Sequence, residues 1–207
     1  AEAFILAEDF IGEDNVAMIL GDNMFYGNNL PKILKRANER EDEATIFGYY
    51  VKDPTAYGVV EINQDGHAVS IEEKPDNPKS HYAVPGLYFY TNDVIDIAKK
   101  IKPSARGELE ITSVNEEYMK LGKLKVEKLG RAMTWFDTGT HDSLLETASF
   151  VQTIQKRQGM QICCPEEIAF EKGWIAAEDL SKLADKFMKT EYGKFLKDLA
   201  ENRIKGE

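Results

Sequence analysis

The sequence predicts an α/β protein with a mixed, mostly parallel sheet, a β-hairpin insertion and a C-terminal helical appendage. Continuous apolar runs at residues 15–20 and 44–51 are typical of strands that are buried on both faces. A segment of helical periodicity at 28–38 separates them, and the order strand, helix, strand predicts a right-handed parallel unit. Asp65-Gly66 lies between two alternating runs, which is the pattern of a hairpin turn.

The other elements follow from the same periodicities. Residues 1–11 have the spacing of an amphipathic helix that ends at Gly12. The helix at 28–38 begins with asparagine caps and has Pro31 in its first turn. Further strands are predicted at 57–62, 67–72, 83–90 and 125–129, and further helices at 93–101, 109–121 and 141–157.

The pattern also predicts how the chain is organised. Residues 1–159 form a truncated α/β core, and residues 160–207 form a charge-rich helical appendage that serves assembly or regulation. The chain opens in helical periodicity with neither an initiator methionine nor a capping residue, so we expect that its beginning is truncated.

The composition excludes several classes of protein. The formal net charge of −10 argues against a nucleic-acid partner, because binding to phosphate backbones relies on a basic face. No apolar run approaches the roughly 20 residues of a membrane span, so no membrane partner is expected. The cysteines, Cys163 and Cys164, are adjacent and lack metal-ligand spacing, which favours thiols in a reducing cytoplasm.

Two aspartates are candidate ligands of Mg²⁺. Asp22 and Asp137 each follow an apolar run, and ligands of open α/β sheets bind beyond the carboxyl ends of strands. Carboxylate oxygens are the ligands that Mg²⁺ prefers, and Gly21 permits close approach of the backbone. The alternative for each aspartate alone is a residue that caps a turn.

Two cationic side chains and one carboxylate are candidate contacts for a sugar phosphate. Lys74 ends a hairpin strand that Pro75 stops, so its charge is placed at an edge where it could meet a phosphate. Glu73 could accept hydrogen bonds from sugar hydroxyls. Arg106 precedes a helix and is either a cap contact or a second phosphate ligand. The alternative for Lys74 is a solvated surface charge.

Glycines beside apolar residues mark a third group of candidates. Tyr57-Gly58 and the pair Val84 and Gly86 place glycine at strands, where a ligand or another backbone comes close or where a bulge forms. Trp135 is either an apolar wall of the site or part of the core.

These segments, taken in order, resemble the glucose-1-phosphate thymidylyltransferase family over nearly the whole chain. The matching segments are LGDNMFYG (20–27), DPTAYGVV (53–60), EEKP (72–75), GLYFY (86–90), KPSARGELEIT (102–112), WFDTGTH (135–141) and RQGMQICCPEEIA (157–169).

The resemblance implies a Rossmann-like nucleotidyltransferase fold and the reaction of dTTP with glucose 1-phosphate to give dTDP-glucose and pyrophosphate, in dTDP-rhamnose synthesis. It implies a homotetramer in which Asp22 and Asp137 hold Mg²⁺. Lys74 and Arg106 would contact the sugar phosphate. The glucose pocket would be lined by Tyr57, Gly58, Glu73, Val84, Gly86 and Trp135.

One departure from the family is clear in the sequence. Relatives have an N-terminal Gly-rich G-G-x-G-T-R loop, whose backbone N–H groups cradle the triphosphate, and none occurs in these 207 residues. The sequence therefore predicts a chain that is inactive by itself. The alternatives are a related uridylyltransferase, a metal-dependent glycosyltransferase, and a non-catalytic module for sugar binding or oligomerisation.

Overall fold

The structure, a computed structural model, describes residues 1–104 and 107–201. The chain divides into two compact units, Ala1–Gly139 and Thr140–Glu207. This division groups the long helix after residue 140 with the later helices, whereas the sequence placed it with the α/β core up to residue 159. The assembly or regulatory role of the later residues stays a prediction.

The first unit alternates helices and strands, which confirms the α/β class. Its helices are α1 Glu2–Leu6, α2 Glu8–Ile11, α3 Leu30–Asn38, α4 Val94–Lys100 and α5 Ile111–Lys120. Its strands are β1 Val16–Ile19, β2 Asn23–Tyr26, β3 Ala44–Tyr50, β4 Gly58–Ile62, β5 Ala68–Glu73, β6 Tyr82–Ala83, β7 Leu87–Tyr90, β8 Leu124–Leu129 and β9 Thr134–Asp137. The strand expected at 83–90 is split into β6 and β7 around Pro85, which has no N–H to donate to a ladder.

The main sheet is mostly antiparallel, so the prediction of a mostly parallel sheet is wrong. Its strand order is β1-β7-β3-β6-β4-β5, and β8 pairs with β3. Only the pairing of β3 with β8 is parallel among the described strands. The predicted hairpin of β4 and β5 is present.

The error has a physical reason in the position of β7. Strands β1 and β3 do run in the same direction, as the strand, helix, strand order predicts, since both are antiparallel to β7. However, β7 lies between them, and it comes from a later part of the chain. Local periodicity identifies a strand but does not show which strand lies beside it.

Strand β1 is also less buried than its apolar sequence suggests. Its residues alternate between half-buried and exposed, and Ile19 is 57% exposed. The expectation of burial on both faces is therefore wrong for β1. Among the described residues β1 pairs with β7 and with no other strand, which leaves it at the edge of the sheet.

The core of this unit packs α1 and α5 against the sheet around Tyr90. The Phe4 ring meets Tyr90 edge-on with centroids 5.4 Å apart, and Tyr118 stacks on it at 5.5 Å. The Tyr90 hydroxyl donates to Asn115 Oδ1 at 2.6 Å. These contacts fix α5, which carries Thr112 and Asn115 to the functional site.

Strands β2 and β9 form a separate two-stranded antiparallel ribbon, which the sequence did not predict. Its register places Asn23 opposite Asp137 and Phe25 opposite Trp135. The ribbon joins distant parts of the chain, and it brings the end of β9 beside the residue that precedes β2, Asp22.

The second unit is helical in its described part, as expected. Its helices are α6 His141–Gln158, α7 Pro165–Glu171, α8 Ala177–Asp185 and α9 Glu191–Ala200. Helix α6 begins at a capping box of Thr140 and Ser143 and ends at Gly159, which is left-handed. A small core packs α8 and α9 together around Leu180 and Leu196. None of the helices that the structure describes is both long enough and apolar enough to span a membrane.

Candidate functional site

A cavity of about 230 Å³ opens in the first unit beside the end of β9. Eight residues proposed from the sequence line it: Tyr57, Gly58, Glu73, Lys74, Val84, Gly86, Trp135 and Asp137. They come from four separate stretches of the chain. The structure thus brings together nearly the whole predicted site in one concave space.

The remaining aspartate lies beside Asp137 and not in the cavity lining itself. A methyl carbon built on Gly139 would lie 3.1 Å from Asp137 Oδ1 and 3.9 Å from Asp22 Oδ2, so both carboxylates border the same point. Asp22 is exposed and Asp137 is half-buried, which leaves both accessible to a dissolved ion. That the two acids act together as metal ligands stays a prediction.

The backbone of the ribbon determines this arrangement. The Thr138 N–H donates to the Asp22 carbonyl at 2.8 Å, and the Thr138 hydroxyl donates to the same oxygen at 3.0 Å. The Gly139 N–H donates to Asp137 Oδ1 at 3.0 Å, which orients that carboxylate. These hydrogen bonds therefore hold Asp22 just before the start of β2 and Asp137 at the last residue of β9.

The donor set fits a hard divalent cation. Asp22 and Asp137 each bring a carboxylate oxygen close to Gly139, and carboxylate oxygens are ligands of the kind that Mg²⁺ takes, an ion that keeps further sites for phosphate and water. No cluster of three or more His, Cys, Asp or Glu side chains with metal-binding geometry occurs within 1–104 and 107–201, so a cage made wholly of protein ligands is absent there.

Lys74 has an unusual backbone conformation. Its φ of 44° lies in the left-handed region, which a non-glycine residue enters at an energetic cost. The Lys74 N–H donates to the Tyr57 carbonyl at 3.1 Å, which holds this conformation at the end of β5. Its ammonium group has no ion-pair partner in the described part of the chain, and Lys74 lines the cavity.

Glu73 is oriented by a neighbour on α5. The Thr112 hydroxyl donates to Glu73 Oε2 at 2.6 Å. A methyl carbon on Gly58 would lie 3.3 Å from the same oxygen, so the absence of a side chain at 58 makes room for the carboxylate. The glycine predicted to permit a close approach thus accommodates Glu73.

Gly86 has a comparable role on another wall. A methyl carbon there would lie 2.6 Å from Leu20 Cδ1, and the Leu20 N–H donates to the Gly86 carbonyl at 2.8 Å. The segment before Asp22 therefore packs directly on Gly86. Of the two explanations that the sequence left open for this glycine, close approach of another part of the chain is the one observed.

Aromatic side chains form the apolar side of the cavity. Trp135 is 8% exposed, and its ring contacts those of Tyr57 and Tyr49 edge-on with centroids 5.0 and 5.6 Å away. It is thus both part of the packed interior and a wall of the cavity. Burial raises the pKa of the Tyr57 phenol, and the Asp137 and Asp53 carboxylates raise it further. Tyr57 therefore stays a neutral hydrogen-bond donor at physiological pH.

Several lining residues were not identified from the sequence. They are Leu20, Asn23, Ala56, Tyr88, Ile111, Thr112 and Asn115. Tyr88 lies two positions after Gly86, so strand alternation could have suggested it, whereas Asn23 directly follows Asp22 and alternation does not indicate it. Thr112 and Asn115 are on the first turns of α5, and no local pattern indicates that this helix faces the cavity. Burial raises the pKa of Tyr88, and the carboxylates of Glu73, Asp137 and Asp22 add to the effect.

The second predicted phosphate ligand, Arg106, lies outside the described residues. Whether Arg106 is a helix-cap contact or a phosphate ligand therefore stays open.

Comparisons with known proteins show which proteins this chain resembles. The sequence model of the Nucleotidyl transferase family matches residues 1–154. Glucose-1-phosphate thymidylyltransferase of Xanthomonas campestris pv. campestris is 53% identical over 200 residues, which cover 97% of this chain and 68% of that protein. The protein of the same name from Neisseria meningitidis is 54% identical over 196 residues, with 95% and 68% covered.

Solved structures share the fold. A Bacillus anthracis protein described as a glucose-1-phosphate thymidylyltransferase, in complex with sucrose, has a TM-score of 0.63 and 42% identity. The match covers 72% of this chain and 59% of that one, so this chain spans about three-fifths of the length of the solved relative. A UDP-glucose pyrophosphorylase in complex with UDP-glucose has a TM-score of 0.65 at 23% identity, which shows the fold alone.

The matched fold confirms the predicted nucleotidyltransferase architecture, with the correction that its sheet is mostly antiparallel. The relatives at 53–54% identity share one name, and the uridylyl enzyme is a distant structural neighbour. The chain belongs to the nucleotidyl transferase family and, within it, to the glucose-1-phosphate thymidylyltransferases.

Proposed function

We propose that the first unit binds glucose 1-phosphate and Mg²⁺ for the transfer of a thymidylyl group from dTTP, which yields dTDP-glucose and pyrophosphate. The observation that carries the proposal is the cavity itself, which is lined by eight residues proposed from sequence, Asp137 among them, with Asp22 nearby. The names of relatives at 53–54% identity support this substrate pair.

The protein's part in such a reaction is alignment and charge neutralisation. A phosphate oxygen of the sugar attacks the α-phosphorus of dTTP in line, and pyrophosphate leaves. Lys74 meets the sugar phosphate at the cavity edge, where no ion pair competes for its charge among the described residues. Glu73, oriented by Thr112, accepts hydrogen bonds from sugar hydroxyls, and Tyr57 donates one.

Asp22 and Asp137 hold the cation in this proposal. Bound Mg²⁺ supplies neutralisation of phosphate charge. The hydrogen bond from the Gly139 N–H holds Asp137 Oδ1 beside Gly139, and Asp22 Oδ2 also lies near Gly139. The two carboxylates are thereby ready before substrate arrives, which lowers the cost of ordering them during binding.

The reaction also requires a site for the triphosphate of dTTP. These 207 residues contain no Gly-rich loop of the kind that would form it. A polypeptide with both parts is obtained by fusing, ahead of Ala1, an N-terminal segment with the Gly-rich G-G-x-G-T-R loop that the family resemblance implies. We expect that this fusion makes dTDP-glucose from dTTP and glucose 1-phosphate. We expect that the 207-residue chain alone binds glucose 1-phosphate but releases no pyrophosphate.

Calorimetry measures the binding, and a coupled pyrophosphate assay measures turnover with dTTP and, in parallel, with UTP. The free N-terminal segment is the control for background activity. A fusion that folds but is inactive with both nucleotides would favour the non-catalytic sugar-binding alternative. Turnover with UTP at a higher kcat/KM than with dTTP would favour the uridylyltransferase alternative, and pyrophosphate release by the chain alone would contradict the need for the loop.

The homotetramer implied by the resemblance and the reducing cytoplasm favoured by the cysteines are part of the same proposal. Leu144 and Leu145 on α6 are 55% and 68% exposed, which is apolar surface that an assembly would cover. Cys163 and Cys164 are free thiols, which is typical of proteins in a reducing compartment.

A further inference from the structure

Asn23 makes hydrogen bonds to three different parts of the site. Its Oδ1 accepts from the Gly86 N–H at 2.9 Å and from the Trp135 indole N–H at 2.7 Å. Its Nδ2 donates to Asp22 Oδ1 at 2.9 Å. One amide therefore touches a candidate metal ligand and two walls of the cavity. All three partners belong to the candidate functional site.

The network determines which way the amide points. Two N–H donors face one side of Asn23 and a carboxylate oxygen faces the other, so only one orientation pairs every group. The reversed amide would set its NH₂ group against two donors. The Trp135 indole is buried, and its N–H needs an acceptor because a buried donor without one is costly.

The donor side of the amide orients Asp22. Oδ1 of that carboxylate is occupied by Asn23, and Oδ2 is the oxygen that borders the point shared with Asp137. Asn23 stands directly opposite Asp137 across the ribbon, so the pairing of β2 with β9 sets its position. Rotation of the Asp22 carboxylate away from its partner would break the bond to Asn23.

We propose that Asn23 is a positioning residue, which couples the direction of the Asp22 carboxylate to the placement of Gly86 and Trp135 in the sugar cavity. The inference rests on the proposed function of that cavity. Asn23 need not touch the reacting atoms. It acts by holding three groups that do, or that form the walls around them.

The test uses the 207-residue chain with Trp174→Phe, which leaves Trp135 as the single tryptophan because the sequence has two. Asn23→Ala and Asn23→Asp are compared by the NMR resonance of the indole N–H. Asn23→Ala removes the acceptor, so the indole proton should move upfield. Asn23→Asp should not move the resonance upfield, because a carboxylate oxygen still accepts from both donors, although its other oxygen faces Asp22 Oδ1 and can no longer donate to it.

Binding gives the second readout. Asn23→Ala should weaken the affinity for glucose 1-phosphate about tenfold, because two N–H groups of the cavity lose their acceptor. Added Mg²⁺ should strengthen that binding less in Asn23→Ala than in the parent, since Asp22 is no longer held. Asn38→Ala, at an exposed asparagine on α3, is the matched control and should change neither readout.

The possible outcomes separate this inference from the proposed function. An Asn23→Ala chain with an unshifted indole proton, or with unchanged affinity, overturns the positioning role. If Asn23→Ala does not fold, an upfield shift of the indole resonance in folded Asn23→Asp overturns it, and the absence of an upfield shift supports it. If the parent itself does not bind glucose 1-phosphate, the proposed function fails, while the indole resonance still decides whether Asn23 holds Trp135.

Discussion

Asp137→Asn in the fusion described above should lower kcat with dTTP and glucose 1-phosphate by about 100-fold or more, because a carboxylate that holds a catalytic metal contributes several kcal/mol. The substitution keeps the shape of the side chain. An asparagine oxygen can still accept from the Gly139 N–H, which Asp137 Oδ1 does at 3.0 Å. The loss would therefore report the missing charge and not a local rearrangement.

Asp65→Asn is the matched control, because Asp65 carries the same charge at the exposed turn of the β4–β5 hairpin. It should leave kcat within about twofold of the parent, as surface substitutions away from special features have small effects. An Asp137→Asn enzyme with less than a threefold loss would show that this carboxylate is not a metal ligand.

Replacement of Lys74 by glycine should weaken the affinity for glucose 1-phosphate but raise the free energy of unfolding. In the 207-residue chain, Lys74→Met and Lys74→Gly should each weaken the affinity for glucose 1-phosphate by about 10- to 100-fold, since a hydrogen bond to a charged group contributes about 1.5–3 kcal/mol. Lys74→Gly should also raise the free energy of unfolding by about 0.5 kcal/mol or more, because glycine adopts a φ of 44° without strain. Lys74→Met keeps that strain.

Calorimetry and urea unfolding measure the two effects on the same preparations. Lys79→Met is the control, because this exposed lysine pairs with Glu72 on the surface and does not line the cavity. If Lys74→Gly binds as tightly as the parent, the phosphate role is wrong. If it is less stable than Lys74→Met, the backbone of Lys74 is not strained in the folded chain.

Local patterns were sufficient to find most elements of the first unit, though not the strands of the β2–β9 ribbon. The strand at 44–51, the hairpin around Asp65-Gly66 and the helix with Pro31 in its first turn are all present, since each depends on residues close in sequence. Whether neighbouring strands of the sheet run parallel or antiparallel was not predictable in this way. Insertion of β7 between β1 and β3 depends on contacts between distant segments, and their apolar patterns do not encode which neighbours they take.

The same distinction applies to the site. Asp22, Lys74 and Asp137 were recognised from their motifs and from the chemistry of their side chains. Lys74 and Asp137 line one cavity, and Asp22 lies near Asp137 beside Gly139. Asn23 was overlooked as a functional residue because its importance lies in bonds to Gly86 and Trp135, 63 and 112 positions away. Thr112 was overlooked for the same reason, since its partner Glu73 is 39 positions away.

The central claim, that Asp22 and Asp137 together hold one divalent cation beside the sugar cavity, is tested most directly by anomalous diffraction. Crystals of the 207-residue chain would be grown with Mn²⁺, as a visible substitute for Mg²⁺, and with glucose 1-phosphate. A single peak within about 2.5 Å of both carboxylates is the expected result. A sugar phosphate bound in the cavity with the manganese elsewhere, or bound to only one of the two aspartates, would contradict the claim.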